Sequence, residues 1–358
     1  MRILHLVRIF SFGGAENHVR ELANVLYEMG HEVFVMARRG KQNKLLNEGV
    51  KFIDIRMNDL LASFQILFVA RFIRKNGIEV IHAHQRLPVF IGTMAGKIAG
   101  VPVVVTVHGK TQYDVRSPLV RKWIDNFIFV RQSTFDEAKD YGIPAGKCLL
   151  IQNGVKIVNS SDQRDYNSLC YISRIDKRHS QVISMIMNKV LIPLNREFPE
   201  LKLNIIGDGD CLEDIRSEAE SVNCQLGRTA MIVHGYMEDV GEIIKKSGLV
   251  FGVGRVAIET LACGVPVLSV NQKYFGGLVS EENYSFFRKN NFVAYGKESP
   301  DTNKLIREVE SYFRNIKHWQ DEAALLQKKI NEDFNIIKIT SSIIEVYNEL
   351  IALNKKNH

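Results

Sequence analysis

The sequence predicts an α/β protein built from two doubly wound parallel-sheet domains in tandem. Three observations carry this. Short apolar, β-branched runs alternate with amphipathic helical stretches along most of the chain, the pattern of parallel sheets with right-handed crossovers. Val101 to Val107 (VPVVVTV) is β-branched almost throughout, as a strand buried on both faces should be. The turn signal Gln152-Asn153-Gly154-Val155 and the polar stretch Asn159 to Asn167 (NSSDQRDYN) divide the 358 residues near their middle. Domain boundaries are expected at 1–158 and 168–333, with 334–358 a last helix able to cross back to the first domain.

Arg2 to Val7 reads as the first strand, Ser11 to Gly14 as a tight loop, and Ala15 to Met29 as an amphipathic helix ended by Gly30. Glu32 to Ala37 and Val50 to Ile55 are strands. Asn58 is placed to cap a helix running to Lys75, with Gly77 beyond its end. That helix has a wide apolar face (Leu60, Leu61, Phe64, Leu67, Phe68, Phe72) and a basic end (Arg71, Arg74, Lys75). Core packing is the expected reason for the face, ahead of contact with an anionic membrane. Glu79 to Ala83 is a strand leading into His84. Pro88 to Ala99 is a helix with proline at its first position and Gly100 closing it. Val101 to Val107 ends in His108-Gly109. Strand Ile128 to Val130, helix Ser133 to Tyr141 and strand Cys148 to Ile151 complete the first set.

The second set runs strand Leu169 to Ser173, a helix from about Ser180, strand Leu201 to Ile206, loop Gly207-Asp208-Gly209, and helix Leu212 to Val222. Strand Ala230 to His234 and helix Glu238 to Ser247 follow. Gly248 to Gly252 is a buried strand, Gly252-Val253-Gly254 a sharp turn, and Arg255 to Cys263 a helix closed by Gly264 and stopped by Pro266. Val267 to Val270 is the next strand, and Phe275-Gly276-Gly277 after it reads as a second glycine-rich loop. The tail from Pro300 is helical, ending in an amphipathic helix from Phe334 to Leu353.

Composition excludes fibrous and disordered classes: 46% of residues are hydrophobic and 24% charged. No apolar run reaches the roughly 18 residues a membrane span needs. Arg8 interrupts the apolar N-terminus, which reads as a strand and not a signal peptide. The five cysteines form no CxxC pair, so neither metal nor disulfide use is expected, and a reducing cytoplasm fits. Residues 1–156 hold 22 Lys and Arg against 13 Asp and Glu, a balance of +9; the remainder holds 25 against 27, or −2. A basic first half suits an anionic partner: a membrane surface, a phosphorylated lipid or nucleic acid. A solvated basic surface explains it equally well.

In doubly wound sheets ligands sit at the carboxyl ends of strands. The chain sets polar residues there repeatedly: Gly13 and Gly14, His82 and His84, His108, Asn153, Arg174, Gly207 to Gly209, and Gly254 with Arg255 and Glu259. His82 and His108 read equally well as satisfied core histidines. Free N–H groups at Gly254, Arg255 and Val256 would attract phosphates or sugar hydroxyls. The Glu259 carboxylate, one turn into the helix, can accept two hydrogen bonds from a vicinal diol such as a ribose. No strand precedes a true GxGxxG with a downstream acid, which argues against a nicotinamide enzyme.

These motifs, in this order, resemble the retaining glycosyltransferases of family 4, whose fold is GT-B: two Rossmann-like doubly wound parallel-sheet domains facing a cleft. SFGGAENHV resembles the family's Gly-Gly-Ala/Val-Glu loop, VIHAH and TVHG its two histidine strand ends, and IQNGV the segment where its domains join. YISRIDKRH resembles its Arg-Leu…Lys stretch, GDGD its glycine loop, and FGVGRVAIETLACGVPVL its Glu-x7-Glu motif.

The resemblance implies a nucleotide diphosphate sugar as donor, UDP favoured over GDP, and neither cofactor nor metal. Arg174 would neutralise the leaving diphosphate, helped by Lys177 or Arg178, because His179 stands where the family has lysine. Gly13, Gly14, Gly207, Gly209 and the N–H groups of Gly254, Arg255 and Val256 would cradle the phosphates. Glu259 would hold the ribose, and the base would rest near Tyr236. His108 would orient the donor sugar, with Glu16, His82 and His84 on the acceptor side. Phe251 replaces the first motif glutamate, Lys156 replaces an aspartate, and Arg255 is unusual at its position.

The implied activity is transfer of a hexose-type sugar, with retention, to a lipid-linked or oligosaccharide acceptor in bacterial surface-glycan assembly. No pair of carboxylates is placed for double displacement, so front-face attack is expected. The implied setting is cytoplasmic, peripheral at the inner face of an anionic membrane, without nucleic acid. Two alternatives stand beside it: a degenerate, non-catalytic binding partner of another transferase, and a sugar-nucleotide epimerase of the same fold.

Overall fold

In a computed structural model, residues 1–11, 13–156 and 163–356 are described. The chain divides into two compact units, Met1–Gly154 with Ile336–His358, and Val155–Asn335. Of the expected linker Asn159 to Asn167, residues 159–162 lie outside the described residues, and Asp165 to Asn167 already open the strand Asp165–Ile172.

The first unit runs β1 (Arg2–Ile9), α1 (Gly14–Glu28), β2 (Glu32–Arg38), β3 (Lys51–Asp54), α2 (Ala62–Asn76), β4 (Val80–His84) and α3 (Arg86–Ala99). It continues with β5 (Val103–Val107), α4 (Thr111–Asp114), α5 (Pro118–Trp123), β6 (Asn126–Phe129), α6 (Gln132–Asp136) and β7 (Cys148–Leu150). The sheet has order β3-β2-β1-β4-β5-β6-β7, all parallel. Alternation along the strands sorts two cores. Leu4, Leu6, Ile81, Val105 and Phe127 pack under α2 and α3, while Ile3, Val7, Val35 and Val104 pack under α1. The last helix, α15 (Ile336–Lys356), also belongs to this unit and seals the second face with Ile343, Val346 and Tyr347.

The second unit runs β8 (Asp165–Ile172), α7 (His179–Ser184) continuing through wider turns into α8 (Ile192–Leu194), β9 (Lys202–Ile206), α9 (Leu212–Leu226), β10 (Met231–Gly235) and α10 (Gly241–Lys246). Then come β11 (Ser247–Phe251), α11 (Arg255–Ala262), β12 (Val267–Val270), β13 (Phe275–Leu278), α12 (Tyr284–Lys289), α13 (Thr302–Arg314) and α14 (Ile316–Asp333). Strand order is β10-β9-β8-β11-β12-β13, parallel except for β13.

Four expectations are corrected. The helix assigned from Pro88 starts two residues earlier, at Arg86; proline is still tolerated, because amides of the first turn have no partner inside the helix. The helix assigned from Asn58 opens as a 3-10 turn, Asp59–Leu61, although Asn58 caps it as expected by accepting from the Leu60 N–H at 2.9 Å. Phe275-Gly276-Gly277 is no loop but the antiparallel strand β13, turned back by Asn271, whose side chain accepts from the amides of Lys273 and Tyr274.

The fourth correction concerns the apolar face of α2. Leu60 is 91% exposed, Phe64 74% and Leu67 60%, while Ile66, Val69, Ala70 and Ile73 make the core contacts. The helix is apolar on two sides, and only one is needed by the sheet.

Candidate functional site

Each sheet reverses its strand order at one place, and that is where a doubly wound sheet opens a crevice at its carboxyl edge. In the first unit the reversal lies between β1 and β4. The residues following these strands meet there. The Gln85 side chain donates to Glu16 at 2.6 Å and accepts from the Arg8 amide at 3.2 Å. Gln85 has φ 67 and ψ 155, a conformation rare outside glycine, held by these contacts. Gly13 caps α1 without a side chain, and Gly14, the first residue of the helix, is exposed. Their amides are thus among the unpaired donors of the helix start. Phe12, between them and Ser11, lies outside the described residues.

The histidines form a buried stack on the face under α1 and α15. β1 and β4 pair with His5 opposite His82. His84 Nε2 lies 3.4 Å from His5 Nδ1, and His84 Nδ1 lies 3.0 Å from His108 Nε2. His18, from α1, packs its ring edge against His108 with centroids 5.4 Å apart. His82 bonds Tyr347 Oη at 2.6 Å and Thr106 Oγ1 at 2.7 Å. His82 and His84 are fully buried. Both are closed off from solvent: His82 is bonded at both ring nitrogens as a core histidine, and His84 lies between His5 and His108. Because neutral imidazoles donate at one nitrogen and accept at the other, the tautomer of His84 decides which nitrogen of His108 carries its proton.

His5, His82 and His84 also bring ring nitrogens within 4.8 Å of one another, a grouping that composition did not foretell. Both nitrogens of His82 are already engaged, as are both of His84, by His5 and His108, which leaves only His5 Nε2 without a partner in this group.

Burial pushes His5 down to about 3, and His82 and His84 well below 6.5, with neighbouring imidazoles adding to the effect on the latter two. Burial, then the Arg131 guanidinium, pushes His108 down to about 4. The stack is therefore neutral near pH 7. Below 6.5 the unfolded chain binds protons that the folded chain refuses, so stability falls with pH until the folded-state values are reached. Each histidine contributes up to about 1.4 kcal/mol per pH unit to this slope. Asp114 and Asp125, pushed above 3.8 by burial, act in the opposite sense only at lower pH. Urea midpoints should fall steeply from pH 6.5 to 4.5, and His5→Gln should flatten the slope by about one proton. A profile that is flat in this range would contradict the neutral stack.

In the second unit the reversal lies between β8 and β11. The loop after β8 is pinned on both sides of Arg174: the Ser173 amide donates to Ile206 O at 3.1 Å and the Ile175 amide to Asp208 O at 3.0 Å. Arg174 and Lys177 are exposed between and beyond these anchors. His179 is tied to Asp176, ring Nδ1 to Oδ1 at 2.8 Å. Burial acts upward on Asp176, but bonds from His179 and Arg178 outweigh it and hold the carboxyl down to about 2.

Gly207 lies against this loop so closely that a Cβ would come 1.8 Å from Ser173 O, and one on Gly209 would come 2.5 Å from Ile175 O. Gly207 N–H donates to Gly235 O at 2.9 Å, which brings half-buried Tyr236 alongside. Across the reversal, Gly254 caps α11 at φ 59, where a side chain would be strained, but its N–H is not free as expected: it donates to Phe292 O at 2.9 Å. Val256 follows in the first turn. Arg255 Nε donates to Glu259 Oε1 at 2.7 Å, so the two residues form an ion pair along α11.

Phe251 closes β11 with its side chain fully buried, between Tyr171 and Leu268 on the neighbouring strands. Sequence reading missed Gln85, Arg8, His5 and His18 near the first reversal. Gln85 directly after a buried strand was the available signal. The expectation of no metal also rested on finding no Asp-x-Asp motif, yet Asp208-Gly209-Asp210 is one.

Two family profiles match in succession: "Glycosyltransferase Family 4" over residues 12–158 and "Glycosyl transferases group 1" over residues 157–315. The phosphatidyl-myo-inositol mannosyltransferase of Mycolicibacterium smegmatis is 25% identical over 228 residues, 58% of this chain and 58% of that protein. The UDP-Gal:alpha-D-GlcNAc-diphosphoundecaprenol alpha-1,3-galactosyltransferase of Escherichia coli is 23% identical, over 83% of this chain and 80% of its own length. The chain thus spans little more than half of the first of these relatives and most of the second. Among solved structures, Anabaena HepE in complex with UDP superposes with a TM-score of 0.75 at 18% identity, covering 98% of this chain and 100% of that one. Two doubly wound sheets, the two profiles in succession and these likenesses mean that the chain belongs to the GT-B glycosyltransferases of the family 4, group 1 type.

Proposed function

We propose that the protein is a retaining glycosyltransferase that moves a hexose-type sugar from a nucleotide diphosphate, UDP before GDP, to a lipid-linked acceptor in bacterial surface-glycan assembly. The observation that supports this most is the gathering of Arg174, Lys177, the loop glycines and Glu259 around one sheet reversal in the second unit. A leaving diphosphate needs fixed positive charge where its own charge develops, and preorganised groups of this kind are commonly the largest catalytic contribution. Arg174 and Lys177 supply it. The N–H groups of Arg255 and Val256 take phosphate oxygens, while the amides of Gly254, Gly207 and Gly209 are spent on Phe292 O, Gly235 O and Asp208 Oδ1, so these glycines serve by close backbone approach. Glu259 takes the ribose hydroxyls, and Tyr236 borders the base. With His179 held by Asp176, the family's lysine role passes to Lys177 or Arg178.

In this reaction the acceptor oxygen bonds the anomeric carbon on the face that the leaving group departs from. The bond from that carbon to the diphosphate oxygen breaks, and the acceptor proton passes to the departing phosphate. His108, its tautomer set by His84, orients the donor sugar, Gly13 and Gly14 join the phosphate cradle, and Glu16 borders the acceptor side. No step is assigned to a metal or cofactor. The named acceptors of the relatives, a phosphatidyl-myo-inositol and a diphosphoundecaprenol-linked sugar, support a lipid-linked substrate. UDP in HepE supports the nucleotide. The exposed ridge of α2, with Arg71, Arg74 and Lys75 at its end, supports work at an anionic membrane surface. Among the described residues no helix is long and apolar enough to cross one.

Thermal stability with UDP, GDP, ADP and CMP tests the donor. A nucleotide at about 100 times its dissociation constant should add roughly 2.7 kcal/mol, and Glu259→Ala should remove most of that gain. If no nucleotide stabilises the wild type, the active-transferase reading fails. The non-catalytic binding partner, which Phe251 in place of the motif glutamate favours, then takes its place.

A further inference from the structure

We infer that a cavity in the first unit, walled by α3 and the α4–α5 turn, seats the phosphate end of a lipid-linked acceptor. This deepens the transferase reading and rests on it. The cavity measures about 450 Å³ and is lined by Asp59, Arg86, Phe90, Val115, Arg116 and Pro118 among others. These residues follow the carboxyl ends of β3, β4 and β5, the edge where a doubly wound sheet binds ligands. Asp114, also in its wall, accepts from the Gly109 amide at 2.8 Å, so the cavity abuts the turn that carries His108. A sugar attached to a phosphate held here is within reach of that turn.

The lining is amphiphilic. Val115 and Val120 are buried, and Leu87 and Val89 continue the apolar wall. Two guanidiniums interrupt it. Arg86 is paired with Asp59 at 3.1 Å, whereas Arg116 is exposed and makes no hydrogen bond or ion pair among the described residues. An unpaired guanidinium beside an apolar wall suits a phosphate with a hydrocarbon tail.

The tail has a surface to follow. Asp59 and Ala62 both line the cavity, so Leu60 and Leu61 between them stand at its edge, and Phe64 extends the ridge along α2. Phe90, 36% exposed, also lines the cavity, and Leu119, 56% exposed, lies between the lining residues Pro118 and Val120. A patch of this kind on a soluble surface marks a partner or lipid contact. Residues 56–125 carry ten Lys and Arg against four Asp and Glu, complementary to a phosphate. A bare phosphate would need no apolar rim, and flat membrane contact would need no cavity.

The probe is farnesyl diphosphate, titrated by calorimetry into the whole chain with its nucleotide site saturated by UDP. Farnesyl diphosphate is expected to bind, and Arg116→Glu to weaken it by about 10-fold or more without lowering the melting temperature. Phe90→Ser should weaken it several-fold, and both inorganic diphosphate and farnesol should bind about 10-fold less tightly than the parent probe. Equal binding to Arg116→Glu overturns the inference. So does inorganic diphosphate as tight as the probe, which would mean a free-phosphate site, or farnesol as tight, which would mean apolar contact alone. The UDP response, read on the same samples, keeps the two readings apart. UDP stabilisation without farnesyl diphosphate binding removes the acceptor seat and leaves the donor site standing. Arg116-dependent binding without any UDP response removes the transferase reading instead.

Discussion

Replacing Arg174 by alanine is expected to lower the turnover of sugar transfer by about 100- to 1000-fold, the usual effect of removing one preorganised group from a developing charge. Stability should change by less than about 0.5 kcal/mol, because the side chain is exposed and the neighbouring backbone, not the guanidinium, ties the loop to β9. The loss should fall on kcat more than on KM, since the charge on the leaving diphosphate is greatest in the transition state. Arg174→Lys should recover part of the rate, limited by the missing planar fork. Lys177→Ala, measured beside it, reports whether that residue has taken the motif's lysine role. An Arg174→Ala protein that keeps full turnover would remove the diphosphate from this loop and, with it, the proposed donor site.

Much of the fold was legible because buried parallel strands leave a plain signal. The run Val103–Val107 and the glycines closing α2, α3 and α11 needed no tertiary information: Gly77, Gly100 and Gly264 all take positive φ at those ends. What failed did so where a residue type is ambiguous without its neighbours. Leu60, Phe64 and Leu67 read as core because apolar spacing cannot say which of two faces meets the sheet. β13 was passed over because Phe275-Gly276-Gly277 carries loop residues, and its pairing with β12 is antiparallel and set by the Asn271 turn.

The same limit applies to the site. The positions after strands were legible, because doubly wound sheets bind ligands there. Which histidine is sealed into the core was not. His82, inside one apolar strand near its end, and His108, just after another, look alike in the sequence, yet Tyr347, 265 residues away along the chain, claims His82. Gln85 escaped notice because its strained backbone and its bond to Glu16 exist only once β1 and β4 are side by side.

Restoring the motif glutamate is expected to damage the protein, not to improve it. Phe251 is fully buried: Tyr171 and Leu268 flank it on the adjacent strands, and Leu249, Leu203 and Val270 share its cluster. In Phe251→Glu the packing of a large aromatic is lost, which by itself costs about 3–5 kcal/mol. A carboxyl buried there without a partner must also stay protonated or drag water in, a penalty of several pKa units at about 1.4 kcal/mol each. Together these approach the whole stability of a typical domain, so the variant should melt well below the wild type or fail to fold. Phe251→Leu keeps the burial and should cost less than about 1.5 kcal/mol. Its nucleotide response should be unchanged, because the side chain at this position is engaged in the core and reaches no ligand. A Phe251→Glu protein that melts like the wild type and transfers sugar faster would mean that the end of β11 turns outward. The donor sugar would then meet residue 251 as the family motif has it.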